Sequence, residues 1–163
     1  MKLLKTKLVK EQSSAFNTAF WSLLWYCYRK EFRPLLQNDF EEIQVFLSTM
    51  QTPAIRTLKV GVSSDVGWGC CIRVAQMLLS HTILRHQLGD YNMKSLLRNM
   101  QDYVKVLTLM NDNADGAIGA FSIQNVARMS LIFNKFPGEF HGPGSISNVM
   151  RDLNKMYLPY TNF

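Results

Sequence analysis

The sequence predicts a single, mainly α-helical lobe, on three observations. Apolar residues make up 47% of the 163 positions and charged residues 18%, with 10 Phe, 6 Tyr and 3 Trp, enough to fill an interior. Apolar side chains recur at three- and four-residue steps along several long stretches, and few stretches read as strand. The 9 Gly and 5 Pro are too few for a collagenous or low-complexity chain, and no internal repeat is visible.

Residues 1–12 read as a basic, solvated tail and 13–163 as the lobe itself. From Ser13 to Tyr28 there is no Gly or Pro, and Phe16, Ala19, Phe20, Leu23, Leu24 and Cys27 fall at helical spacing before Pro34 stops the run. Residues 39–50 read as a short helix with Phe40, Ile43, Phe46 and Leu47 on one face, and Pro53 opens an irregular stretch to about Ser64. The clearest helix starts near Gly69 and ends at Gly89, with Cys71, Val74, Ala75, Leu78, Leu79 and Thr82 as its apolar face and Arg73, Gln76 and Ser80 turned elsewhere. Another starts near Met93 and carries Leu96, Leu97, Met100, Val104 and Leu107; residues 111–116 are a loop by composition. Ser122 is placed as the cap of a helix with Ile123, Val126 and Ala127 inward. Ser145 is placed as the cap of a shorter one with Ile146, Val149, Met150 and Leu153 inward, joined to it by the turn residues of 136–144. No terminal helix is expected over Leu158–Phe163.

Charge and cysteine usage exclude several classes. The net charge of +6 is concentrated in Lys2, Lys5, Lys7 and Lys10; the remainder holds 14 basic and 12 acidic residues, so no basic stripe for nucleic acid survives in the lobe. No apolar run approaches the roughly 18 to 20 residues a bilayer crossing needs, and the lysines interrupt any secretory signal. Cys70 and Cys71 are neighbours, with Cα atoms about 3.8 Å apart, below the window of about 4.4 to 6.8 Å for a disulfide. A reducing, cytoplasmic setting is expected.

The chemistry lies in Ser64-Asp65-Val66-Gly67-Trp68-Gly69-Cys70-Cys71-Ile72-Arg73, which leads straight into the longest helix. A thiol at a helix N-terminus meets unpaired backbone N–H groups and the positive end of the helix dipole, which favour thiolate over thiol. Gly67 and Gly69 allow a tight turn and room for an approaching chain. The N–H of the cysteine can help hold a developing oxyanion. Cys70 is therefore the candidate nucleophile, while Cys27 and Cys71, on apolar helix faces, read as packing thiols.

This run, with Gln76-Met77-Leu78-Leu79 after it, closely resembles the nucleophile motif of the autophagin cysteine proteases. Tyr28-Arg29-Lys30-Glu31-Phe32 resembles that family's block upstream of the nucleophile. Phe121-Ser122-Ile123, with Gly138, Gly142 and Pro143, resembles its downstream segments. The likeness spans roughly Phe16 to Leu153. It implies a papain-like α+β fold, of which this chain carries the helical half and stops before the sheet-forming half. It also implies hydrolysis after the C-terminal glycine of a GABARAP-type ubiquitin-like modifier, and release of that modifier from phosphatidylethanolamine at membranes, with no metal or organic cofactor. By matching position, Cys70 would be the nucleophile and Tyr28 a donor near the oxyanion. Trp68 and Gly69 would wall the groove for a glycine-ended tail, and Gly142 and Pro143 would form a turn near its cover.

The sequence departs from the family where catalysis needs a base. No Asp-Pro-His occurs. His81 and His86 lie about 16 and 24 Å along the nucleophile's own helix, out of reach of its sulfur. His141, in a turn, reads as a surface or gate residue, and three scattered histidines give no metal-ligand spacing. Cys71, Gln124 and Phe140 stand where the family usually has methionine, histidine and tryptophan, and Phe40 to Met50 reads as an inserted helix. The alternatives are an inactive fragment or pseudoenzyme that binds the modifier, or a helical scaffold with an incidental cysteine motif.

Overall fold

The computed structural model describes residues 2–36, 61–89, 97–112 and 118–161, and within them the side chains of 12–157. Five α-helices are seen there: α1 (Lys2–Trp21), α2 (Cys70–Leu88), α3 (Met100–Leu109), α4 (Ile123–Ser130) and α5 (Pro143–Thr161). A 3₁₀ turn, Leu131–Phe133, follows α4. No strand occurs among the described residues. Helices α4 and α5 pack on each other, and α2 lies against both α3 and α5. Ile72 and Leu84 of α2, Val106 of α3, Val126 of α4 and Val149 and Leu153 of α5 meet around Phe121, all essentially closed to solvent. Each such side chain contributes about 1.5–3 kcal/mol through the water it leaves.

The ends of α2 fall where glycine dictates. Gly69 is its N-cap and Gly89, at φ 69°, its C-cap. Its buried face is not the expected one. Ile72, Arg73, Gln76, Ser80, Ile83 and Leu84 point inward, while Val74 and Leu78 are 49% and 65% exposed. The polar members can be buried because each is paired: Gln76 Nε2 donates to the Phe121 carbonyl at 2.8 Å and Ser80 Oγ meets the Tyr26 hydroxyl at 3.0 Å. Arg73 lies between two carboxylates. On α3 the same shift occurs. Val106, Leu109 and Met110 are buried and Leu107 half-buried, whereas Leu97, Met100 and Val104 face out. The expected start at Met93, Leu96, the helix of 39–50 and most of the 111–116 loop lie outside the described residues.

The first helix ends earlier than its periodicity implies. It closes at Trp21 on short turns, Ser22 N–H to the Ala19 carbonyl and Leu23 N–H to that of Phe20, and residues 24–30 then run irregularly. Tertiary pairing overrides helix propensity here. Leu24 N–H donates to His81 Nε2 at 3.0 Å, and Tyr26 bonds Ser80, so the segment is pinned along α2. Of the expected inward face only Leu24 is buried; Cys27 is exposed rather than packed on a helix. Residues 12–19 are all exposed, and at the end of α1 Phe20 stacks on Phe16, meets Trp21 edge-on and packs at a tilt against Trp25. The backbone of 2–12 continues α1 as helix.

The last two helices follow the sequence closely. Ser122 caps α4 by accepting from Asn125 N–H at 3.2 Å, and Ile123, Val126 and Ala127 are buried. Ile146, Val149, Met150 and Leu153 face inward on α5 as expected. That helix begins at Pro143, whose missing N–H costs nothing in a first turn, so Ser145 lies inside the helix and not at its cap. It also continues to Thr161, where no terminal helix was expected, with Tyr157 packed against the core. His141 is not at the surface: it is 3% exposed, with Nε2 2.8 Å from Ser130 Oγ, and ties the turn before α5 to the end of α4.

Candidate active site

Cys70 is the first residue of α2, so its backbone N–H has no carbonyl to meet within the helix. The turn leading to it is built on Asp65. The Asp65 carbonyl accepts from Trp68 N–H at 3.2 Å and from Gly69 N–H at 2.8 Å, and Gly67 sits at φ +88°. The Gly69 carbonyl then accepts from Arg73 N–H at 3.0 Å, the first bond of the helix. Gly69 has no room for a side chain, since a Cβ there would lie 2.7 Å from both Cβ and Oδ2 of Asp65. The glycine is thus required by a close approach, not by a positive φ.

Tyr28 reaches the same point from the opposite direction. The segment pinned to His81 and Ser80 runs back along α2 and brings Tyr28 beside Cys70, close enough for the two side chains to influence each other. Loss of water around it and the negative charge that the neighbouring sulfur can carry push the Tyr28 phenol above its ordinary value, so it stays a protonated donor. Cys71 is pushed up as well, by loss of water and then by the adjacent Cys70. Cys70 and Cys71 are both partly exposed and free of disulfide. A phenol O–H near the sulfur and the unpaired N–H of a helix's first residue are the kinds of donor that can stabilise negative charge on an acyl carbonyl.

Four charged residues frame this pair in a closed ring that sequence reasoning did not assemble. Asp65, fully buried, accepts from Arg29 N–H at 2.5 Å through Oδ1 and from Arg73 Nε at 2.7 Å through Oδ2. Arg73 donates through Nη1 and Nη2 to the two oxygens of Asp112, both at 3.1 Å. Arg29 Nε lies 3.5 Å from Asp112 Oδ2 and completes the circuit. Burial disfavours the Arg73 charge, but its bonds to Asp112 and Asp65 outweigh that and push it upward. Asp112 falls in a stretch that composition marks only as loop. The one signal for its role is a buried arginine on α2 that requires a second carboxylate.

The other predicted site residues are placed differently. Trp68 is in the core, 5% exposed, with Nε1 donating to the Ser64 carbonyl at 2.8 Å. Gly142 and Pro143 stand exposed at the start of α5, and Gly142 accepts there from Ile146 N–H. None of the three histidines is placed at Cys70: His81 holds Leu24, His86 is exposed near the end of α2, and His141 holds Ser130. A cleft of about 520 Å³ opens between Trp25, Cys27, Tyr28 and Arg29 and the α3 residues Val104, Leu107 and Thr108. Among the described residues no group of three His, Cys, Asp or Glu could hold a metal ion, and no helix is long and apolar enough to cross a membrane.

The family model of the peptidase C54 catalytic domain matches residues 13–161. The chain belongs to the peptidase C54 family. Among its relatives, the protein named "Probable cysteine protease ATG4" of Cryphonectria parasitica is 33% identical over 143 residues, 85% of this chain and 29% of that protein. The "Cysteine protease ATG4A" of Bos taurus is 27% identical over 150 residues, 91% of this chain and 31% of its own length. In Komagataella pastoris a further "Probable cysteine protease ATG4" is 30% identical over 149 residues, 90% of this chain and 27% of that protein. The chain therefore spans about three tenths of the length of these relatives. Within this C54 segment, the Cys70 turn and the Tyr28 segment are brought together across 42 positions of sequence.

Proposed function

We propose that this chain is the nucleophile-bearing lobe of an autophagy thiol protease. It would cleave after the C-terminal glycine of a GABARAP-type ubiquitin-like modifier, exposing it for lipid conjugation, and release the modifier from phosphatidylethanolamine, working in the cytoplasm. What supports this reading is that Cys70 is the partly exposed first residue of α2, with Tyr28 beside it. In the proposed step the Cys70 thiolate adds to the glycine carbonyl carbon. The carbonyl electron pair moves onto oxygen, where Tyr28 O–H and Cys70 N–H donate to it. Collapse of that intermediate breaks the bond to the leaving amine, which takes up a proton, and water later releases the acyl group. Taking the thiol proton and delivering it to the amine is histidine work in this chemistry, and the family's Asp-Pro-His motif, not found in the sequence, is the proposed source. Gly69 leaves space for the tail of the substrate, Trp68 holds the turn from beneath, and Gly142 and Pro143 belong to the proposed cover of the groove.

The test is covalent capture. A GABARAP-type modifier whose terminal glycine carries a vinyl electrophile is mixed with the chain and the adduct read by mass spectrometry. One adduct is expected at Cys70, lost in Cys70→Ser and largely retained in Cys71→Ser; equal loss in both variants refutes the assignment. The placement of the histidines favours a second reading, in which the lobe binds the modifier without turning it over. It predicts tight non-covalent binding of the native modifier with no cleavage by residues 1–163.

A further inference from the structure

We infer that the ring Arg29–Asp65–Arg73–Asp112 is a clamp whose work is to hold the Tyr28 hydroxyl against the Cys70 sulfur, making Arg29 and Asp112 positioning residues for the nucleophile. The inference rests on Tyr28 and Cys70 being the working pair, and extends it to side chains that touch neither reacting atom. Three observations support it. The ring ties the residue next to Tyr28 to the residue one turn beyond Cys70. Arg29 is gripped twice, through its backbone N–H by Asp65 and through its guanidinium by Asp112. Arg73 is gripped by both carboxylates. The residues between Leu24 and Arg29 have no helix or sheet ladder to fix them, so the bonds at Leu24, Tyr26 and Arg29 set where the phenol lands. The charges balance, two cations against two anions, and three of the four side chains are almost wholly buried. Replacing a buried ion pair by apolar side chains of similar volume is often neutral or stabilising, so stability alone does not account for the ring. Its other edge faces open space: Arg29, Arg73 and Asp112 also line the cleft between the Tyr28 segment and α3.

The phenol of Tyr28 reports its own position. Facing it are Cys70, Cys71 and Asp65, and all three raise its ionisation midpoint. The midpoint is read by phenolate absorbance of the full chain, assigned by difference from Tyr28→Phe. In Cys70→Ala it is expected to shift down toward the ordinary value near 10. If the clamp positions Tyr28, Arg29→Gln shifts it down too, although both members of the pair are intact. That direction is decisive. Removing a nearby cation would raise a phenol midpoint by charge alone, so a fall means that the ring has moved away from the sulfur. Asp112→Asn should give the same fall. Should that buried variant lose helix content, Arg29→Gln decides alone, because its side chain is 60% exposed. A midpoint that stays or rises in Arg29→Gln while falling in Cys70→Ala overturns the clamp and leaves the pair standing. A midpoint indifferent to Cys70→Ala removes the pair itself, and with it the site reading.

Discussion

Asp65 is the residue on which the site turns. Its carbonyl shapes the turn before Cys70 and its carboxylate holds both Arg29 and Arg73, so one buried side chain sets the approach of two segments. This explains why Gly69 tolerates nothing larger. In Gly69→Ala the new methyl would displace Asp65, and overpacking of this kind costs about 1–3 kcal/mol. We expect a lower melting temperature together with loss of the Cys70 adduct, read by calorimetry and by mass spectrometry. At Cys71 the loss of water, and then the neighbouring sulfur, favour the neutral thiol, so electrophiles near neutral pH should mark it slowly.

Helix α2 shows what hydropathy can and cannot read. Its ends were legible because Gly69 and Gly89 mark them, and the cap of α4 and the inward faces of α4 and α5 were legible because Ser122, Val126, Val149 and Leu153 obey simple spacing. Its buried face was not, because Arg73, Gln76 and Ser80 count as outward residues until their partners are known. Those partners lie up to 54 positions away. Cys70 at the helix mouth could be read locally; the Arg29–Asp112 closure could not, since nothing near either residue announces it. The same failure hid the end of α1, which long-range bonds to His81 and Ser80 terminate. A stability series on α2 checks the observed face. Leu84→Ala should cost about 2–5 kcal/mol as a buried truncation, while Leu78→Ala, at a 65% exposed position, should stay within about 0.5 kcal/mol. Chemical denaturation distinguishes the two, and comparable losses at both positions would contradict the described face.

At the scale of the whole lobe, the packing of α4 against α5 carries a pH dependence. Burial, with the Lys135 charge adding to it, pushes His141 below its usual value, and the neighbouring Glu139 only partly opposes this. The folded chain therefore prefers neutral His141. The stabilisation is complete above the unfolded value near 6.5 and is lost as pH falls from there through the lower folded value. The melting temperature should drop as pH falls below about 6.5, and His141→Gln, which keeps a polar group for Ser130, should flatten that part of the profile. An unchanged slope in the variant would assign the acid sensitivity elsewhere.

The order in which the ring is assembled has a consequence for biogenesis. Arg29, Asp65 and Arg73 leave the ribosome before Asp112, and Gln76 must wait for the still later Phe121 carbonyl. A nascent chain stalled short of Asp112 has Cys70 but not the carboxylate that closes the ring on Arg29 and Arg73. Closure of the ring is in this way deferred until most of the lobe has been translated.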